Sequence, residues 1–457
     1  MTVSIWKKSL AVVLSGVLAF SLSACSSQDA AGGDASSGKV IKVAYRKFGS
    51  GNKGLENWLK SSAAEFEKAH PGVKVKLVPI QASEADFFAK MALTMKSPAT
   101  APEVVTEDTF MISSDAAAGY LEPLDRYVSG WDEWNQFFEP VQRGMKAEDG
   151  KIYGVPYSTD TRGLYYNTNI FKKAGLPVPW QPKTWEDVLA AARAIKQKVP
   201  GVTPFWANVG KATGEATTMQ TFEMLLYGTK DRLYENGKWV VKSPGFLDSL
   251  KFIDQIFKSG LGPELSQVLT GQAGDIVANQ MMPQEKVGIV LNGNWVPAAW
   301  KETGPAPWKE GTKVYQFAPM PTQHGEAPGH TSMSGGWALS IGAKSKEKDL
   351  GMEFIKIATN KEHQKQYSLT QGDLTPRKDV AEDPEYMNAP GTVFKQATSF
   401  LEFTHYRPGN SQYPSVSTQI QAAVEAVAIG TLTPEKAMDQ FAQNVKRMVG
   451  ADKTVEK

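Results

Sequence analysis

The feature that most constrains this chain is the order in which its apolar patterns change period. Residues 40–45 carry the β-branched and aromatic run of a short strand, and residues 55–69 place Leu55, Leu59, Ala63 and Phe66 on one face of an amphipathic helix. Residues 73–78 read as a second strand, and a helix at 86–96 followed by a strand at 103–106 repeats the pattern. Such an opening predicts an α/β fold, with a mostly parallel sheet covered by helices and ligands held beyond the carboxyl ends of the strands. Two loops therefore stand out: residues 46–53 after the first strand, which include Phe48, and Glu107-Asp108-Thr109 after the third.

A second α/β body begins near Pro156. Residues 151–156, 163–167, 286–291, 314–320 and 336–341 read as strands, and residues 217–227, 246–258, 274–281, 346–359, 416–428 and 434–449 as helices. Thr184-Trp185-Glu186-Asp187 supplies a Thr N-cap with acids in the first turn of a helix that reaches Lys198. A length of 457 residues suits two or three domains with cores of their own. The sequence after residue 39 contains neither an internal repeat nor a low-complexity stretch.

The amino terminus reads as a targeting segment. Lys7 and Lys8 precede an apolar run over residues 10–20 that is too short to span a bilayer and suits a signal peptide of residues 1–24. Leu22-Ser23-Ala24-Cys25 looks like a lipobox, in which the cysteine takes the lipid and becomes the first residue. The alternative, an ordinary signal peptide, would leave Cys25 as an odd free thiol in an oxidising compartment. Cys25 is the only cysteine, so an intramolecular disulfide, a cysteine-based zinc site and a thiol dyad are all excluded. Residues 25–39 are then the lipidated cysteine and a Ser, Gly, Ala and Asp tether with a reach of roughly 20 Å.

Composition narrows the functions further. Lys plus Arg number 50 and Asp plus Glu 48, and loss of Lys7 and Lys8 with the signal peptide leaves the two signs balanced. This disfavours nucleic acid as a partner. The skewed class is aromatic, with 12 Trp, 14 Tyr and 20 Phe. The nucleophile-elbow, P-loop, zinc-protease and kinase patterns are all absent. Five scattered His form no His-x-x-x-His pair, and the acids form no EF-hand spacing, so no metal or cofactor is expected. The enzyme alternative is a surface glycoside hydrolase, which needs a carboxylate pair whose separation sequence does not reveal. A structural or adhesive surface lipoprotein gains nothing from a two-bodied chain of this kind.

Four pieces spread along the chain carry a resemblance. They are His70-Pro71-Gly72-Val73-Lys74-Val75; the run from Lys151-Ile152-Tyr153-Gly154-Val155-Pro156 through Leu164-Tyr165-Tyr166-Asn167 and Phe171-Lys172-Lys173-Ala174-Gly175-Leu176 to Pro182-Lys183-Thr184-Trp185; Lys286-Val287-Gly288-Ile289 with Gly293-Asn294-Trp295; and Ser334-Gly335-Gly336-Trp337-Ala338-Leu339-Ser340. In this order, and with the lipobox, the chain resembles the solute-binding lipoproteins of carbohydrate ABC importers, the maltose-binding-protein-like group. The resemblance implies a two-lobed periplasmic-binding-protein-like fold with discontinuous lobes. One lobe would hold residues 40–156 with 318–371, the other 160–312 with 377–457, and hinge crossings would lie at 157–159, 313–317 and 372–376. It implies a non-enzymatic, monomeric receptor, lipid-anchored outside the cell membrane, that passes a neutral di- to tetrasaccharide to the transmembrane subunits of an ABC permease. A polyol or a glycerophosphodiester is the alternative solute. Likeness to receptors of high-GC Gram-positive bacteria brings xylo-, galacto- and gluco-oligosaccharides to the front.

A sugar needs aromatic planes for its C–H faces and carboxylate, amide or guanidinium groups for its hydroxyl rim. The ligand-binding candidates are Phe48, Trp206, Trp295 and Trp337 among the rings, and Glu107, Asp108, Asp160, Arg162, Glu215, Arg377 and Tyr413 among the polar groups. Gly335 and Gly336 join them as backbone that a ligand can approach closely. Each has a blander reading: Trp295 as a helix-start anchor, Glu107 and Asp108 as solvated caps, Asp160 and Arg162 as a mutual pair, Glu215 as a cap, and the glycines as packing. Trp58, Trp131, Trp134 and Trp185 read as helix-packing or surface anchors.

Overall fold

The computed structural model describes residues 39–47, 53–82 and 84–457. Cys25 and Phe48 lie outside the described residues. Two hydrophobic cores organise the rest. One gathers residues from 41 to 157 and from 338 to 367, and the other residues from 164 to 333 and from 374 to 449, with Phe110 reaching into it from the first body.

The first lobe is built on a five-stranded sheet in the order Val73–Ile80, Lys39–Arg46, Val104–Asp108, Trp337–Ile341, Val155–Pro156. The first three strands run parallel, and Trp337–Ile341 is antiparallel to both of its neighbours. Val104–Asp108 is buried throughout, as a central strand covered on both faces must be, whereas the edge strand Val73–Ile80 turns its lysines to water. Helix Gly54–Ala69 buries Leu55, Trp58, Leu59, Ala63 and Phe66 on a single stripe. Its Trp58 Nε1 donates to the Ala358 carbonyl at 3.0 Å, tying the amino-terminal segment to helix Lys348–Ala358.

The second lobe has a four-stranded sheet in the order Tyr315–Ala318, Arg162–Asn167, Val287–Gly293, Thr203–Trp206. Thr184 caps helix Trp185–Lys198 through a capping box with Asp187, as the sequence predicts. The helix expected at 217–227 is interrupted by a π-type turn at Thr218–Phe222, between Glu215–Thr217 and Glu223–Leu226. In a regular α-helix residues eight apart diverge by about 80°. The wider turn underwinds the helix, so that Glu215 and Glu223 both reach the hydroxyl of Tyr413.

The chain passes between the two cores near Tyr157–Arg162 and again near Gly372–Thr375, where Thr159 and Leu374 pair as an isolated bridge. The middle passage differs from the expectation of 313–317. Tyr315–Ala318 is an edge strand of the second sheet, with Phe317 opposite Tyr165 and the two rings 4.5 Å apart. Residues 318–334, expected in the first lobe, put Ala318, Met320 and Met333 into the second core. The passage instead falls between His330–Ser334 and Trp337–Ile341, at Gly335-Gly336. The apolar alternation that suggests one strand leading outward is two short strands folded back onto the same lobe.

Candidate functional site

The carboxyl ends of Lys39–Arg46 and Val104–Asp108, with the start of Trp337–Ile341, form the first lobe's side of the interlobe cleft. Trp337 is half-buried. Its ring is nearly parallel to Phe88, with centroids 6.4 Å apart and planes 13° apart, and the Arg46 guanidinium carbon stands 5.8 Å from its centroid. Phe88 meets the edge of Phe110 at 5.1 Å, so the wall continues toward the second lobe. Because successive side chains of a strand point to opposite faces, Glu107 and Asp108 do different things. Glu107 turns inward to Asp115, and burial together with that neighbour pushes its carboxyl well above the usual range. Burial raises Asp115 to about 6. Asp108 faces across the cleft.

What it faces is Arg407, on the segment after strand Thr404–Tyr406. Arg407 Nη2 donates to Asp108 Oδ1 at 2.7 Å and to Thr109 Oγ1 at 2.6 Å, and Nη1 lies 3.6 Å from Glu215 Oε1. The guanidinium carbon sits 4.9 Å from the centroid of Phe110. Behind it, Tyr413 Oη donates to Glu215 Oε1 and lies 3.1 Å from Glu223 Oε1, while Ser417 Oγ donates to Glu215 Oε2 at 2.6 Å. Burial and the neighbouring charge of Glu215 push Glu223 up to about 8, against the opposing pull of Arg407. Glu223 is therefore protonated at neutral pH.

The crossing segments carry a second ion pair. Arg162 Nη1 pairs with Asp160 Oδ1 and donates to the Met333 carbonyl at 3.0 Å; Asp160 Oδ1 also accepts from the Gly335 amide at 2.8 Å. The Arg162 guanidinium carbon lies 5.0 Å from the centroid of the half-buried Trp295 ring. Asn294 braces that loop by donating its amide to the Thr161 carbonyl and Nδ2 to the Gly372 carbonyl. At the middle crossing Gly336 requires glycine, and Gly335 leaves room for the Arg407 guanidinium. A Cβ on Gly335 would stand 2.7 Å from Arg407 Nη2, and one on Gly336, whose φ is +133°, would stand 2.1 Å from the Ser158 carbonyl oxygen.

The structure thus gathers Asp108, Asp160, Arg162, Glu215, Trp295, Gly335, Gly336, Trp337 and Tyr413 around the cleft and its crossings. Glu107 lies one layer behind. Trp206 and Arg377 do not join them. Trp206 is wholly inside the second core at the end of Thr203–Trp206. Arg377 fastens the last crossing to the first lobe: its guanidinium donates to Asp379, Glu133 and the Thr359 carbonyl and lies 5.4 Å from the Phe137 centroid. Arg407, Phe88, Phe110 and Glu223 escaped the sequence reading. Phe110 directly follows the flagged Glu107-Asp108-Thr109 loop, and Arg407-Pro408-Gly409 is a cation at a turn; those are the only signals either offered.

Among the described residues, no group of three His, Cys, Asp or Glu side chains is placed to hold a metal ion, and no helix is long and apolar enough to cross a membrane. A family model of bacterial extracellular solute-binding proteins matches residues 61–395. The chain belongs to that family. This solute-binding protein is similar to the galactooligosaccharide-binding protein of Bacillus subtilis, 24% identical over 448 residues that cover 97% of this chain and 98% of the relative. It is also similar to the maltodextrin-binding protein MdxE of the same organism, 26% identical over 358 residues, 78% of this chain and 77% of the relative. Among solved structures, a solute-binding protein from Thermotoga lettingae bound with α-D-tagatose has a TM-score of 0.76 at 26% identity, covering 90% of this chain and 100% of that one. Maltose-bound MalE3 of T. maritima has a TM-score of 0.74 at 24% identity, with coverage of 90% and 100%. The fold of this solute-binding protein is the two-lobed periplasmic-binding-protein fold.

Proposed function

We propose that this solute-binding protein is the extracytoplasmic receptor of an ABC importer and that it captures a neutral oligosaccharide of two to four units between its lobes. The observation that carries the reading is the pairing of an aromatic wall, Trp337 and Phe88, with the row Asp108, Arg407 and Glu215 across the cleft. Rings stack on the apolar faces of a sugar, and the carboxylates and the guanidinium offer acceptors and donors to its hydroxyls. Relatives named for galactooligosaccharide, maltodextrin and multiple-sugar binding support the class of solute. In this reading the receptor transforms nothing, carries its lipid on Cys25, acts as a monomer and hands its sugar to the transmembrane subunits of a permease.

Calorimetry of residues 26–457 against a panel of xylo-, galacto- and gluco-oligosaccharides tests it, with tagatose, ribitol and a glycerophosphodiester alongside. Binding of a neutral oligosaccharide with the sugar recovered uncleaved is expected. Binding of the polyol or the diester alone would move the solute within the family, and binding of peptides or polyamines with no sugar bound at millimolar concentration would overturn the reading.

A further inference from the structure

We infer that residues 404–413 form a clasp by which the protein's own side chains hold the two lobes closed, whatever solute the cleft takes. Two contacts from this one stretch of the second lobe reach the first. Deep in the cleft, Arg407 grips Asp108 Oδ1 and Thr109 Oγ1. At the mouth, Asn410 Nδ2 donates to Glu148 Oε1 at 2.9 Å and the Ser411 amide donates to Glu148 Oε2 at 3.2 Å. Between them, Tyr413 of the second lobe meets the edge of Phe110 of the first at 6.2 Å.

The clasp is rooted in the hinge. Strand Thr404–Tyr406 pairs in parallel with Ser332, Met333 and Ser334, and the next residue, Gly335, is the middle crossing and the amide that donates to Asp160. A rotation at Gly335-Gly336 therefore moves Arg407 and Asn410 together against Asp108 and Glu148. The inner contact is an ion pair almost out of reach of water, with side chains 5% and 13% exposed, so salt screens it little; the outer one lies in solvent and is weaker. A solute enters when both contacts part, and leaves only when they part again.

The single cysteine lies before residue 26, so residues 26–457 accept a pair of introduced spin labels without background. Labels at the exposed positions Lys90 and Thr418, one on each lobe, report the interlobe distance by pulsed dipolar spectroscopy in the absence of any solute. The expected result is a dominant short-distance population that E148A with N410A reduces and D108N reduces further. E148A with N410A changes an exposed and a half-buried surface group outside the buried ion pair, so it keeps the test open should D108N fold poorly. A distance distribution identical in all three proteins, or a wild type that is wholly open without solute, would overturn the clasp. The distances are measured without a ligand, so a silent sugar panel leaves the clasp standing, and a failed clasp leaves the carbohydrate reading standing.

Discussion

Glu223 gives the sharpest test of how the second lobe's side of the cleft is built. Its side chain is fully buried, and its carboxyl is held near pH 8 by desolvation and by Glu215, against an ordinary value of 4.5. Between those two values the native protein holds a proton that the unfolded chain has released, so stability falls as pH rises. The stabilisation associated with the protonated form is complete below about 4.5 and is lost progressively until Glu223 ionises in the native state near 8. Integrated from pH 5 to pH 8.5 at ~1.4 kcal/mol per unit, the loss is about 4 kcal/mol.

Glu223→Gln removes this titration while keeping shape and hydrogen-bonding capacity. Over the roughly 420 residues of the folded body Gly38–Lys457, an unfolding entropy of ~2.1 cal/mol/K per residue makes 1 kcal/mol worth about 1 °C in melting temperature. Differential scanning calorimetry of both proteins from pH 5 to pH 8.5 should show melting temperatures that nearly coincide at pH 5 and diverge by about 4 °C at pH 8.5, with the variant the more stable. Asp115 near 6 and Asp373 near 7 titrate in the same window, but they are common to both proteins and cancel in the difference. A difference that stays constant across the range would refute the assignment of Glu223 as a buried, protonated acid.

The remaining expectations separate binding from folding. Trp337→Ala removes the half-exposed face of the aromatic wall, and calorimetric affinity for the cognate sugar should fall about 30-fold, ~2 kcal/mol, with a shift in melting temperature of only a degree or two. Arg377→Met should do the reverse, lowering stability by about 2 kcal/mol through loss of its charged hydrogen bonds while the folded protein binds with unchanged affinity; a weakened dissociation constant at full folding would place Arg377 in the site after all. Cys25→Ala should abolish incorporation of a tagged fatty acid and release the protein, with ligand affinity intact; equal labelling of the variant would remove the lipid anchor.

Much of the frame was legible because it rests on local periodicity. The opening strands and helices, the Thr184 cap and the strand read at 286–291 all follow from spacing within a dozen residues. The middle crossing was not legible, because a strand at a sheet edge and a strand entering a hinge share one apolar alternation, and only the pairing of Tyr315–Ala318 with Arg162–Asn167 separates them. The same limit explains Trp206 and Trp337. Both stand at strand ends, but Thr203–Trp206 is covered on both faces, so the position of the ring along the strand says nothing of whether it meets solvent or core.

The cleft itself is a further step removed from local pattern. Asp108 and Arg407 lie 299 residues apart, and Glu148 and Asn410 262 apart, on segments whose proximity is created by three passages of the chain between lobes. A motif can announce a residue type at a loop, as Glu107-Asp108-Thr109 does, yet it carries no record of the residue that will stand opposite. In the binding chemistry proposed here that opposition is what counts: Asp108 alone is a strand-end acid, Arg407 alone a turn cation, and only the fold brings them into contact. Sequence therefore exposes the half of the site attached to a regular sheet edge and leaves the half carried by the late loop 404–413 to the fold.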